Sequence, residues 1–89
     1  MDPKEIEQLL KQALDLDEVY VRGENAHYDV IAVSDKFADL SRVKQQQMIY
    51  APLMDHLANN AIHALTIKTF TVDKWKREKL FLIYNNISH

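Results

Sequence analysis

Apolar residues recur with a helical period over the first part of the chain, and polar residues fill the positions between them. The apolar stripe has the spacing of an amphipathic helix and comprises Ile6, Leu9, Leu10, Ala13 and Leu14. Ahead of it, Asp2 suits an N-cap, Pro3 suits the first helical turn, and Glu5 completes a capping box. The pattern predicts a helix that begins near Pro3 and packs its stripe on a sheet.

Two β-rich segments follow this helix, VYVR at 19–22 and HYDVIAVS at 27–34. They are separated by GENA at 23–26, which contains Gly23, the only glycine of the chain. Glycine readily adopts the positive φ angles that tight connections require. The two segments are therefore predicted to form a β-hairpin.

A helical period returns between residues 40 and 60, with one face traced by Val43, Gln46, Ile49, Tyr50, Leu53 and Leu57. Pro52 removes a helical hydrogen bond within this stretch, so it either kinks one long helix or separates two shorter ones. The segment HALTIKTF at 63–70 then alternates apolar and polar side chains, as expected of a strand with one buried face. The order α-β-β-α-α-β predicts an α+β sandwich, in which a three-stranded sheet carries helices on one face.

The pattern weakens after Thr71. The segment VDKWKREK at 72–79 is compatible with a capped helical turn whose Trp75 folds back on the sheet edge. The residues beyond it lack a period, so the sequence divides into a domain at 1–76 and a C-terminal tail at 77–89. The tail either is disordered or loosely docked, as chain termini often are, or covers a sheet edge or a neighbouring subunit. The first interpretation is favoured.

Composition narrows the classes of function. The 89 residues include 11 Lys and Arg against 13 Asp and Glu, for a net charge of −2, so no overall basic field draws the protein onto nucleic acid. The chain has no cysteine, which excludes disulfides, thiol nucleophiles and thiolate metal ligands of its own. Its start does not resemble a signal peptide, and no apolar run approaches the ~20 residues that cross a bilayer. We expect a soluble, cytoplasmic protein that does not bind membranes.

Motifs of enzymatic catalysis are missing from the sequence. A single glycine excludes a phosphate-binding glycine loop and a dinucleotide fingerprint. The three serines, Ser34, Ser41 and Ser88, lack the surroundings of a nucleophile elbow. We therefore expect a protein without enzymatic activity.

Four histidines are the remaining candidates for site chemistry. His56 lies on a predicted helix and His89 at the end of the chain, where solvated or capping roles are expected. His27 and His63 each begin a predicted strand, and the hairpin turn and the start of the last strand can lie at one end of such a sheet. Two imidazoles cannot complete the four ligands of a structural zinc site or an iron–sulfur cluster. They are either packing or surface residues, or ligands that act only with a partner.

Several features in order make the chain resemble the BolA-like family. They lie in SRVKQQQMIYAPLMDHLANNAIHALTIKTF at 41–70, preceded by HYDVIAVSDKFADL at 27–40, and RVKQQQ is similar to the IbaG branch of the family. The resemblance runs from about residue 4 to Trp75 and implies a fold similar to a type II KH domain that lacks the glycine loop of true KH domains.

The resemblance also implies a partner. BolA-like proteins associate with monothiol glutaredoxins, which hold a [2Fe-2S] cluster with glutathione, and contribute a histidine from the last strand and a histidine or cysteine from the hairpin loop. His63 matches the first position and His27 the second. A role in iron–sulfur trafficking, iron sensing or stress response follows. The isolated chain is expected to carry no cluster and to be a monomer or weak homodimer.

An alternative implied by the family is a transcriptional regulator that binds DNA through the helix-turn-helix-like segment at 41–58. Its candidate contacts are Arg42, Lys44 and Lys36. This patch is small for the several phosphate contacts that DNA binding usually needs, and the net charge is acidic. A protein-interaction module that holds no cluster is the third interpretation.

Overall fold

The computed structural model describes the backbone of residues 1–88 and the side chains of residues 1–80. Strands β1 and β2 pair antiparallel, β2 and β3 pair parallel, and the sheet order is β1-β2-β3. The predicted α+β fold with a three-stranded sheet is confirmed. In chain order, its elements are α1 (Pro3–Leu14), β1 (Glu18–Glu24), β2 (His27–Val33), a 3₁₀ turn (Asp35–Asp39), α2 (Arg42–Tyr50), a 3₁₀ turn (Ala51–Leu53), α3 (Met54–Ala58), β3 (Ala64–Phe70) and α4 (Val72–Ser88).

Helix α1 begins as the sequence predicts. The Asp2 side chain accepts a hydrogen bond from the backbone N–H of Lys4 at 2.8 Å, and the Glu5 side chain accepts one from the backbone N–H of Asp2. Ile6 and Leu10 are fully buried. Local capping thus fixes where the helix starts, and its stripe fixes which face meets the sheet.

Strand β1 is longer than predicted, and the turn is shorter but lies within the predicted connection at 23–26. Only Asn25 and Ala26 connect the strands, and both have positive φ angles, 55° and 66°. Gly23 does adopt a positive φ, 144°, but it lies within β1. A Cβ atom at Gly23 would lie 2.1 Å from the carbonyl oxygen of His27, so glycine is needed there for close approach of the two strands.

Pro52 separates two helices. Helix α2 ends at Tyr50, one 3₁₀ turn carries the proline, and α3 begins at Met54. The predicted apolar face is correct at Ile49 and Leu53, which are fully buried, but wrong at Val43, which is 65% exposed. The half-buried side of the first turns of α2 instead contains Gln45.

The main core lies between the sheet and the first three helices. Buried residues of α1 and α2 pack there with the inward residues of the strands, which include Val19, Tyr28, Val30 and Ala32. Strand alternation assigns the intervening residues to the other face of the sheet. Helices α1 to α3 therefore cover one face, as predicted.

The other face carries a smaller aromatic cluster at the start of α4. The Trp75 ring lies 5.3 Å from the ring of Phe70 on β3 and 5.7 Å from that of Tyr20 on β1, measured between centroids. Trp75 thus packs across the sheet face and not on its edge. Helix α4 continues to Ser88, well beyond the helical turn predicted at 72–79, while His89 lies outside the described residues. None of the described helices combines the length and apolar character that a bilayer span requires.

Candidate functional site

His27 and His63 lie on neighbouring segments at one end of the sheet. His27 is the first residue of β2 and stands in register with Ala64, the first residue of β3. The backbone N–H groups of His63 and Ala64 both donate to the carbonyl oxygen of Ala26, at 2.8 and 3.2 Å. The parallel pairing of β2 and β3 therefore brings together two histidines that are far apart in the sequence, as predicted.

Both imidazole side chains lie at the surface of the described structure. His27 and His63 are exposed, although Ile62, immediately before His63, is buried in the core. His63 occupies a bend ahead of β3, one residue before the strand begins. His27 is a paired strand residue and not part of a loop, so the hairpin holds its backbone in place.

His56 lies close to this end through its backbone. The carbonyl oxygen of His56, on α3, accepts a hydrogen bond from the N–H of Ile62 at 3.0 Å. Its side chain is half-buried in the last turn of α3, which does not match the solvated role and leaves the predicted alternative of a capping role open. The helix thereby fixes the segment that leads into His63. The prediction for His89 concerns a residue outside those described.

The histidine end supplies only part of a metal site. Within the part of the chain that the structure describes, no three His, Cys, Asp or Glu side chains are grouped closely enough to hold a metal ion. The chain has no cysteine that could add a thiolate. Two imidazoles are therefore what this end can offer, and further ligands would come from another molecule.

The three basic residues of the alternative DNA site have different surroundings. Arg42 and Lys44 are exposed in the first turn of α2, which Ser41 caps by accepting from the Lys44 N–H at 3.2 Å. The Lys36 ammonium instead donates to the carbonyl oxygens of Leu14 and Asp15, at 2.5 and 3.2 Å. Lys36 thus caps the end of α1, where a cation complements the helix dipole.

Gln45 is a structural residue that the sequence did not reveal. Its Nε2 donates to the carbonyl oxygens of Phe37 and Leu40, at 2.8 and 2.9 Å, and its Oε1 accepts from the Thr69 hydroxyl. The glutamine triplet at 45–47 carries no sequence signal that distinguishes this residue from its neighbours. The contact joins α2, the preceding 3₁₀ turn and β3.

Comparison with protein families and curated proteins gives a consistent result. A family described as BolA-like protein matches residues 5–74. An uncharacterised protein of Haemophilus influenzae is 59% identical over 85 residues, which cover 96% of this chain and 100% of the relative. The acid stress protein IbaG of Escherichia coli K12 is 47% identical over 79 residues, covering 89% of this chain and 94% of IbaG. A protein of Vibrio cholerae named DNA-binding transcriptional regulator BolA is 41% identical over 56 residues, covering 63% of this chain and 52% of the regulator.

Solved structures agree with these sequence relationships. The solution structure of BolA1 from Mus musculus superimposes with a TM-score of 0.73 at 26% identity, covering 86% of this chain and 70% of the mouse protein. The matched family region includes the hairpin, α2, α3 and β3, and hence both His27 and His63. The chain belongs to the BolA-like protein family.

Proposed function

We propose that this chain is a non-enzymatic partner of a monothiol glutaredoxin and shares a [2Fe-2S] cluster with it through His63 and His27. The observation that carries the proposal is the pairing of β2 with β3, which sets two exposed imidazoles on adjacent segments. Membership of the BolA-like family supports it, because family members associate with such glutaredoxins. The E. coli relative is named an acid stress protein, which supports a role in stress response.

The two imidazoles fit a cluster that is shared with a partner better than a cluster that this chain would hold alone. An iron–sulfur cluster takes four protein or cofactor ligands, and this end of the chain offers two imidazoles. A glutaredoxin thiolate and the thiolate of glutathione would complete the set. Imidazole ligation raises the reduction potential of a cluster relative to thiolate ligation alone, which suits transfer or sensing of iron.

The test is the visible absorption and circular dichroism of the complex formed on co-expression with a monothiol glutaredoxin and glutathione. His63→Ala should abolish or alter the cluster spectrum, and His27→Ala should alter it as well. The control is His56→Ala, because that change removes an imidazole and keeps the backbone hydrogen bond to Ile62. An unchanged spectrum for His63→Ala would contradict the proposal.

Melting curves of the same variants separate a ligand from a packing residue. Since both His27 and His63 are exposed, their replacement should change the free energy of unfolding by no more than about 0.5 kcal/mol. A loss of roughly 1–3 kcal/mol for His63→Ala would instead indicate a packing role.

Binding of DNA through the segment at 41–58 is the second candidate function, favoured by the name of the Vibrio cholerae relative. Arg42 and Lys44 are exposed, but the Lys36 ammonium caps the end of α1. Helix α3 spans only five residues, which is short for a recognition helix. Titration with duplex DNA at physiological salt tests this function. Arg42→Ala with Lys44→Ala should leave the cluster spectrum of the glutaredoxin complex intact and should abolish binding of duplex DNA.

A further inference from the structure

A basic groove lies between α2 and the outer side of β3. Its volume is about 570 Å³, and it is lined by the end of β3, the start of α2 and the start of α4. Three cationic side chains from these elements, Arg42, Lys68 and Lys74, contribute to its wall. No Asp or Glu lines the groove within the described residues, so its charge favours an anionic occupant.

The groove follows an open strand edge. β3 is the outermost strand on this side, and its Ala64 N–H and Phe70 carbonyl both bond toward β2, to the Ala26 carbonyl and the Ser34 N–H. Backbone groups of alternate strand residues point to opposite sides of a strand. The N–H and C=O groups of Ile67 and Thr69 therefore point away from β2, and the hydrogen bonds of the described residues provide them with no partner.

The opposite edge of the sheet is protected in a way that β3 is not. The outward N–H of Val21 on β1 donates to the Glu7 carboxylate of α1 at 3.2 Å. β1 also carries Glu18 and Glu24, which would repel an acidic segment. The one cation of β1, Arg22, pairs with Asp29 at 3.8 Å, whereas the cations beside β3 line a groove without an acidic residue among those described.

The groove suits an extended peptide better than a single-stranded nucleic acid. Bases bind to single-strand sites largely by stacking on exposed aromatic rings. The aromatic residues of this groove are Phe37, which is 3% exposed, and Phe70, whose ring packs on Trp75. Backbone pairing needs no such platform, because main-chain hydrogen bonds hold an added strand and side chains provide its specificity.

We propose that an extended acidic segment of a partner protein adds to the sheet along β3 in this groove. The backbone groups of Ile67 and Thr69 hold its main chain, and Arg42, Lys68 and Lys74 neutralise its carboxylates. This site goes beyond the proposed cluster function. From Ala64, beside His27, to Thr69 the strand rises by about 16 Å at ~3.3 Å per residue, so the two ends can be occupied together.

The experiment uses a defined probe, a capped peptide of about eight residues in which glutamate alternates with valine. Added to the isotope-labelled full chain, it should shift the backbone amide resonances of Ile67 and Thr69 and leave that of Val21 unchanged. A peptide with lysine in place of glutamate, and one methylated on alternate backbone nitrogens, should each bind at least about tenfold more weakly.

Matched protein variants assign the charge contribution. Arg42→Gln with Lys74→Gln should weaken binding of the acidic peptide about tenfold or more. Lys76→Gln with Lys79→Gln changes two exposed lysines of α4 outside the groove and should have little effect. His63→Ala should bind the peptide like the parent chain, which keeps this test independent of the cluster.

Four outcomes would overturn the proposal. They are the absence of shifts at millimolar acidic peptide, shifts centred on β1, equal binding of the backbone-methylated peptide, and stronger binding of single-stranded oligothymidine than of the peptide at Ile67 and Thr69.

Discussion

The hydroxyl of Thr69 on β3 donates a hydrogen bond to Oε1 of Gln45 on α2, at 2.5 Å. The same glutamine donates from Nε2 to the carbonyl oxygens of Phe37 and Leu40. One half-buried side chain thus joins the outer strand to the segment that leads into α2. Replacing it leaves a hydroxyl and two carbonyl groups without this partner.

Gln45→Ala should therefore lower the free energy of unfolding by about 1–3 kcal/mol, because partly buried polar groups lose their hydrogen bonds. The measurement is chemical denaturation followed by circular dichroism. Gln46→Ala is the matched control, since its exposed side chain makes none of these bonds, and it should stay within about 0.5 kcal/mol of the parent chain. Equal effects of the two changes would contradict the bridging role.

Gly23→Ala should lower the free energy of unfolding by about 1–3 kcal/mol. The added Cβ would lie 2.1 Å from the His27 carbonyl oxygen, and the φ of 144° is unfavourable for alanine. Thermal melting and the amide shift of His27 measure the effect, because strand separation there would move both. A stable variant with an unmoved His27 resonance would show that the strand accommodates the methyl group.

Ala26→Gly should have the opposite effect in the same hairpin. Ala26 has a φ of 66°, in the left-handed region that costs an alanine about 1–2 kcal/mol. Glycine removes this strain, but it also increases the conformational entropy of the unfolded chain, which offsets part of the stabilisation. We therefore expect the free energy of unfolding to rise by about 0.5–1 kcal/mol. A lower melting temperature than that of the parent chain would count against a strained turn.

Trp75 should be replaceable by phenylalanine and not by alanine. Trp75 is 6% exposed between Tyr20 and Phe70, while its indole N–H has no hydrogen-bond partner among the described residues. Trp75→Ala should cost about 2–4 kcal/mol. Trp75→Phe should cost less than about 1.5 kcal/mol, because it removes the unpaired N–H and keeps a ring. Far-ultraviolet circular dichroism during denaturation compares the two, and similar losses would argue against aromatic packing of α4.

The Tyr20 hydroxyl should ionise at higher pH than an ordinary tyrosine. Its hydrogen bond to the Glu18 carboxylate raises its pKa, and partial desolvation and the negative charges of Glu18 and Glu7 add to the effect. Because the neutral form is favoured in the folded state, its stabilising contribution is complete below the unfolded pKa of about 10 and is lost as pH rises through the folded pKa.

The difference in tyrosinate absorbance between the parent chain and Tyr20→Phe during alkaline titration isolates this group. Glu18→Gln should lower the pKa of Tyr20 toward the ordinary value, because the charge is removed. Identical titration curves for the parent chain and Glu18→Gln would contradict the assignment.

The sequence predicts best those elements whose boundaries are determined by residues close together in the chain. Asp2 and Glu5 determine the start of α1 because a capping box involves only neighbouring residues. On α2, Gln45 accepts a hydrogen bond from Thr69, which is distant in sequence, and the predicted apolar face wrongly included the exposed Val43. The full length of α4 was not predicted, because the apolar run at 80–83 has no helical period.

In the candidate site, too, some features are predictable from the sequence and others depend on how the elements pack. The sequence places His27 and His63 at strand starts, and sheet connectivity alone then brings these starts together. The sequence predicted Lys36 to belong to a basic patch. Its contacts with the end of α1 were not predictable, because they depend on how α1 packs against the rest of the domain. The open edge of β3 likewise becomes visible only when the strand order is known.

The parallel pairing of β2 with β3 also sets an order of assembly. The hairpin can form from neighbouring residues, but β3 reaches β2 only after the segment from Ser34 to His63, with α2 and α3, has crossed the sheet. Contacts between residues so distant in sequence form slowly and close late in folding. A chain in which β3 has not yet paired with β2 therefore holds His27 and His63 apart, and their proximity reports that this pairing has formed.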